Sequence, residues 1–297
     1  MASPTLERLG FSPEERVVIV HADDLGMCHA VNAAFAEILA AGVVSCGSIM
    51  VPCPWFSEMA ALARRHPEAD LGVHLTLTSE WTRYRWGPVS TRDPATGLLD
   101  EEGYFWADVR YVHAHAQPEA AATELRVQVE RALAAGIDLT HIDTHMGAVA
   151  HPALMRAYVE LAREYRLPAM IPRLSRQQLL QRGLPAHVAD ELLTELVSLE
   201  AEGKLLLVDH LASLDDPTPG DPLARYSKLL QSLPAGLTHL IYYPARPGAE
   251  VRAIMGERSA NARAADWRCF SDPEVERVLG GVGVRVVGYR VLCGVVW

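Results

Sequence analysis

Val17-Val18-Ile19-Val20-His21-Ala22-Asp23-Asp24-Leu25-Gly26 is a β-branched apolar run that stops at two acids and a glycine. A run of this length and composition predicts a buried strand. Its end places Asp23 and Asp24 at the strand's C-terminal tip, where α/β folds carry their chemistry. Adjacent carboxylates repel, and they are tolerated when a cation, a proton or a helix N-terminus compensates. A lone Asp-Asp pair also reads as the cap of the next helix, so the neighbouring strands decide its meaning.

Two further strands end in histidine. Leu71-Gly72-Val73-His74-Leu75-Thr76-Leu77-Thr78 alternates apolar with small or polar residues, and Leu139-Thr140-His141-Ile142-Asp143-Thr144-His145-Met146-Gly147 does the same before a glycine. One Asp and two His on separate strand tips suit one divalent cation, with coordination positions left for water. Either histidine alone would read as a partly buried side chain of no special function.

Strand-like runs alternate with helical patterns along most of the chain. The expected strands are Val17–Ala22, Val44–Val51, Leu71–Leu77, Leu139–Asp143, Ala169–Ile171, Leu205–Val208, His239–Tyr242 and Val284–Val287. Helical segments include Ala30–Ala41, Glu119–Ala135, Ala153–Tyr165, Ala186–Leu199 and Pro222–Leu230. This alternation predicts a parallel sheet with crossover helices, and the number of strands favours a barrel over a doubly wound sheet. No repeat or linker divides the chain, so residues 1–297 are expected to form one (β/α)-barrel domain. An aromatic insertion is expected near 79–112, with Trp81, Tyr84, Trp86, Tyr104, Phe105, Trp106 and Tyr111, and Asp209–Pro222 reads as a loop on the active face.

Three segments in order resemble the YdjC/ChbG-like carbohydrate deacetylases. His21-Ala22-Asp23-Asp24-Leu25-Gly26 is similar to that family's Ala-Asp-Asp-Phe-Gly signature. Gly72-Val73-His74-Leu75 is similar to its Gly-x-His-Leu, and Thr140-His141-Ile142-Asp143-Thr144-His145 to its Thr-His-x-Asp-Ser-His. The resemblance implies an irregular, incomplete (β/α) barrel and a divalent-metal hydrolase that removes acetyl groups from N-acetylated sugars or short oligosaccharides. Two features depart from the family pattern. His145-Met146-Gly147-Ala148-Val149-Ala150-His151-Pro152 replaces a His-x-His-x-x-Pro continuation, and Tyr242-Tyr243-Pro244 stands where many members carry His-Pro.

With Asp24, His74 and His145 as ligands, Asp23 is placed to act as general base. The cation could be Mg, Zn, Mn, Co or Fe. His151, His210 and Tyr243 are candidate proton donors, and His141 and Asp143 candidates for orienting a ligand. Trp81 and Trp86 suit stacking on sugar faces, the alternative being a small satellite core. Arg246 could anchor a substrate, or close a loop-stabilising ion pair. Two other functions stay open: a non-catalytic sugar-binding or regulatory barrel, and a metal-dependent hydrolase of another small amide or ester.

A net charge of -10 without a basic block argues against nucleic acid as a partner. No run has the length of a membrane span, and Met1-Ala2-Ser3-Pro4-Thr5-Leu6-Glu7-Arg8 has no signal-peptide pattern, so a cytoplasmic protein is expected. The five cysteines, at irregular spacing, read as reduced thiols. A homodimer is compatible with the sequence.

Overall fold

The computed structural model describes residues 3–42, 46–181, 184–214 and 220–296. The strands are β1 (Arg16–Leu25), β2 (Cys46–Ile49), β3 (Asp70–Leu75), β4 (Leu139–Thr144), β5 (His210–Ser213), β6 (Gly236–Tyr242) and β7 (Arg285–Val287). All pairings are parallel, in the order β4-β3-β2-β1-β6-β5, with β7 also on β1. The expected strands Ala169–Ile171 and Leu205–Val208 are present only as isolated bridges, Ile142 with Ala169 and Pro172 with Val208. Hydrogen bonds from Met170 N to Ile142 O, Val208 N to Ile171 O and Asp209 N to Leu237 O carry the ring from β4 back to β6. The strands therefore close into an irregular α/β barrel.

Two expectations are affected. The start of Val44–Val51 lies outside the described residues, as does 215–219 of the loop Asp209–Pro222. Residues 210–213 of that loop form β5, because their backbone completes the free edge of β6.

Helices flank the ring. Pro118, Pro152 and Pro222 begin three of them, where the missing N–H is not needed, and Asp221 caps the last by accepting from Leu223 N and Ala224 N. The largest apolar cluster joins Val18, Val20 and Ala22 of β1 to these helices, whereas Val17 and Ile19 pack with Leu6, Leu237 and Tyr289. β1 is thus buried on both faces, as a central parallel strand requires. Cys28, Cys46, Cys53 and Cys269 are buried free thiols, and Cys293 is half-buried. Among the described residues no helix is long and apolar enough to cross a membrane.

The alternation of β1 puts Val17, Ile19, His21 and Asp23 on one face, and would send Asp24 to the other. The register prevents this. Ala22 pairs with Gly47 and Leu25 with Ile49, so Asp23 and Asp24 together oppose Ser48. That is a bulge, a device that re-aims a side chain. Asp24 adopts a φ of 66° there, in the left-handed region where aspartate is among the more tolerated residues. Both acids thereby face the barrel mouth.

The bulge needs a close strand approach at Gly47, where a Cβ would lie 2.8 Å from the Ala22 carbonyl oxygen. Gly47→Ala should lower unfolding stability by roughly 1–3 kcal/mol, the usual range for overpacking. Urea denaturation tests this, and an unchanged midpoint would contradict the close approach.

Candidate metal centre

At the C-terminal ends of β1, β3 and β4, ligand-type atoms of Asp24, His74 and His145 lie within 4.8 Å of one another, all buried. Asp24 Oδ1 stands 3.2 Å from His145 Nδ1 and 3.5 Å from His74 Nε2. Neither approach has the alignment of a hydrogen bond, so this buried oxygen has no partner. The other nitrogen of each imidazole is held. His74 Nδ1 donates to Asp143 Oδ1 at 2.9 Å, and His145 Nε2 to Glu80 Oε2 at 3.0 Å. Ser48, opposite the bulge, donates to Asp143 Oδ2 at 2.9 Å. Carboxylates behind histidines fix the tautomer that turns the free nitrogen inward, as in metal sites. One carboxylate oxygen and two imidazole nitrogens around an unpartnered buried oxygen fit a divalent cation.

Charge is arranged to the same end. Burial would raise the Asp24 carboxyl, but the Arg263 guanidinium bonded to Oδ2, with His145 and His74, holds it well below the usual carboxylate range. Burial likewise opposes a charged His145, yet Glu80 and Asp24 outweigh it and push its pKa up to about 10. His74 is raised against burial by Asp143 and Asp23. Burial raises the neighbouring Asp23, opposed by His74 and His21. The acids thus favour positive charge at this point, which a bound cation would supply in place of protons on the imidazoles.

The remaining candidates separate by position. Tyr243 lines a cavity of about 180 Å3 with Trp81, Arg258, Arg263 and Asp266. The buried Trp81 Nε1 has no hydrogen-bond partner there. His151 packs on His113 at 4.8 Å in a separate cavity with Arg110 and Leu184. His210 is at the opposite end of the strands, its Nε2 bonded to Ala235 O, because β5 begins there rather than a loop over the mouth. Trp86 is not a stacking surface. It is 3% exposed, its Nε1 donates to Thr78 O at 2.7 Å, and its ring backs His145 at 6.3 Å. Arg246 pairs with Glu37 at 3.3 Å beside Trp267, closing a loop against helix 29–41. Asp143 orients His74, and His141 bonds His21 rather than a ligand.

Four functional neighbours were missed in the sequence: Ser48, Glu80, His21 and Arg263. Glu80 follows the β3 motif closely and could have been flagged. Arg263 lies on the 22-residue helix Ala249–Phe270, which Gly256 interrupts at φ 76° and which presents Arg263 and Asp266 on a buried side. Polar burial of that kind hides an amphipathic period.

A family model described as YdjC-like protein matches residues 17–280. A carbohydrate deacetylase of Thermus thermophilus is 38% identical over 274 residues, 92% of this chain and 93% of that protein. A carbohydrate deacetylase of Brevibacillus brevis is 40% identical over 155 residues, 52% of this chain and 59% of its own. A crystal structure of a candidate cellobiose-phosphate cleavage protein from Enterococcus faecalis V583 superposes with a TM-score of 0.73 at 22% identity, over 94% of this chain and 99% of that one.

Two outcomes follow from the packing. Trp86→Ala should destabilise the protein by roughly 3–5 kcal/mol, as for a buried aromatic, and calorimetry would show it; a surface platform would leave stability unchanged. Asp266 is buried, which pushes its carboxyl up to about 6, against bonds from Tyr243 N and Tyr226 Oη. It keeps its proton in the folded state where the unfolded chain has released it, so its contribution to stability falls as pH rises from about 4 to about 6. Asp266→Asn should remove that fall, gaining about 3 kcal/mol on wild type across this window. Parallel stability curves for the two proteins would refute the shift.

Proposed function

The chain belongs to the YdjC-like family, and on that premise we propose that it is a divalent-metal-dependent deacetylase of N-acetylated sugars or short oligosaccharides. The observation that carries this reading is the convergence of Asp24, His74 and His145, with each imidazole held from behind by a carboxylate. In this reading those three residues hold the cation, which when bound supplies Lewis acidity toward the acetyl carbonyl and lowers the pKa of water.

The chain's own residues do the rest. Asp23, with Oδ1 engaged by His21, takes at Oδ2 the proton of the attacking water. The C–O bond forms, the C–N bond breaks, and the proton passes from Asp23 to the leaving nitrogen. Tyr243 is the candidate donor that shares a cavity with Arg263 and Trp81, so its hydroxyl can assist that transfer. Arg263 holds Asp24 ionised and in place. Trp81 lines the same cavity, where its indole suits packing on a sugar face.

Acetate release from N-acetylated mono- and disaccharides should require added divalent metal and vanish with a chelator. Asp23→Asn should lower kcat by about 10²–10⁴-fold with metal content unchanged, whereas His145→Ala should lower metal content itself. Metal binding without turnover of any acetylated sugar would favour a binding protein. Turnover only of other amides or esters would favour a different hydrolase.

A further inference from the structure

Beneath the candidate metal centre the barrel encloses a string of polar groups that runs back from Asp23. Asp23 Oδ1 is 2.8 Å from His21 Nδ1, and His21 Nε2 is 2.8 Å from His141 Nε2. His141 Nδ1 is 3.0 Å from Thr140 Oγ1, which makes a short contact with Asp70 Oδ1. None of the five residues is more than 5% exposed. Two glycines leave room for the string. A Cβ on Gly72 would lie 2.6 Å from the His141 ring, and one on Gly288 2.1 Å from Asp70 Oδ2. The Tyr289 ring covers His141 at 3.9 Å, tilted by 15°.

The direction of each hydrogen bond follows from the donor inventory. An ionised Asp23 only accepts, so His21 Nδ1 carries the hydrogen. With one N–H on each imidazole, His21 Nε2 accepts from His141 Nε2. Burial holds His141 well below the usual imidazole range, which keeps it to one N–H. His141 Nδ1 then accepts from the Thr140 hydroxyl. Thr140 Oγ1 also lies against Asp70 Oδ1 and 3.2 Å from the Leu71 carbonyl oxygen, which fixes its place beside His141. Asp143 does not compete for His21. Its Oδ2 is 3.8 Å from His21 Nε2, and its oxygens accept from Ser48 and His74.

We propose that His21 is the positioning residue for Asp23, pinning Oδ1 through Nδ1–H so that Oδ2 alone meets the water, with His141, Thr140 and Asp70 fixing the orientation and tautomer of His21. Without this tether the Asp23 carboxylate could swing toward His74, whose Nε2 is 3.8 Å from Oδ2, and compete for the cation instead of serving as base. The effect on turnover rests on the deacetylase reading; the tautomer does not.

Two substitutions separate the ends of the imidazole. Asparagine puts an amide donor near the place of Nδ1, and glutamine near that of Nε2. His21→Asn should keep kcat within a few-fold of wild type. His21→Gln should lower kcat about 10–100-fold, the scale of a small misplacement at a reacting group, with KM and metal content unchanged. The opposite ranking, or equal loss in both, would overturn the proposal. Ring-nitrogen NMR of the wild-type protein supplied with Zn2+ gives a readout that needs no turnover and no variant. It should show His21 as the Nδ1–H tautomer and His141 as Nε2–H; a His21 Nδ1 without hydrogen would overturn the proposal. If wild type released no acetate, the deacetylase reading would fail, and the tautomer would still decide on His21.

Discussion

Carboxylates cannot be taken out of water side by side without compensation, since an unpaired buried charge costs more than a typical domain's whole stability. Asp23, Asp24 and Asp143 are each at most 5% exposed, inside one ring of strands. The arrangement around them answers that constraint. Arg263 reaches in from helix 249–270 to Asp24, His74 stands between Asp143 and Asp24, and His21 meets Asp23. What is left over is one buried Asp24 oxygen with no hydrogen-bond partner, facing two inward-turned imidazole nitrogens. The fold meets the electrostatic demand almost entirely, and the remainder has the size and ligand chemistry of a single ion.

The backbone had to change for this to happen. A regular strand separates neighbouring side chains onto opposite faces, so an Asp-Asp pair could not serve one site from β1 as a plain strand. The two-against-one pairing opposite Ser48, with Asp24 in the left-handed region, brings both to one side. The cost of that conformation is local, of order 1–3 kcal/mol. Strain of this kind, held where the chemistry is, agrees with the separate tasks argued for the two acids.

The parallel strands and the three tips were legible in sequence because their signals are local: β-branched runs, alternation and ligand-type residues at run ends. What failed was non-local. β5 is short and half-exposed, with no apolar pattern of its own, so only its pairing to β6 defines it. That misreading carried His210 to the wrong end of the barrel. Trp86 looked like a stacking surface because tryptophan serves as both platform and packing, and only the bond to Thr78 O decides between them. Arg263 is 239 residues from Asp24 in sequence, and no motif connects them.

β7 has a consequence for how the molecule comes into being. It pairs with Val17, Val18 and Ile19 on β1, while β2 takes the same strand from His21 to Leu25. The residues that follow place Tyr289 on His141 and the Arg290 N–H on Asp70. The strand that bears the acids is thus paired on one edge by β6, while the other edge of its lower half waits for a segment far later in the sequence. Contacts between such distant stretches must wait on loop closure and fold slowly. Without the segment from residue 285 onward the chain would hold Asp24, His74 and His145 and still lack the Tyr289 and Arg290 contacts beneath them, so the candidate site settles only once segments far apart in sequence have met.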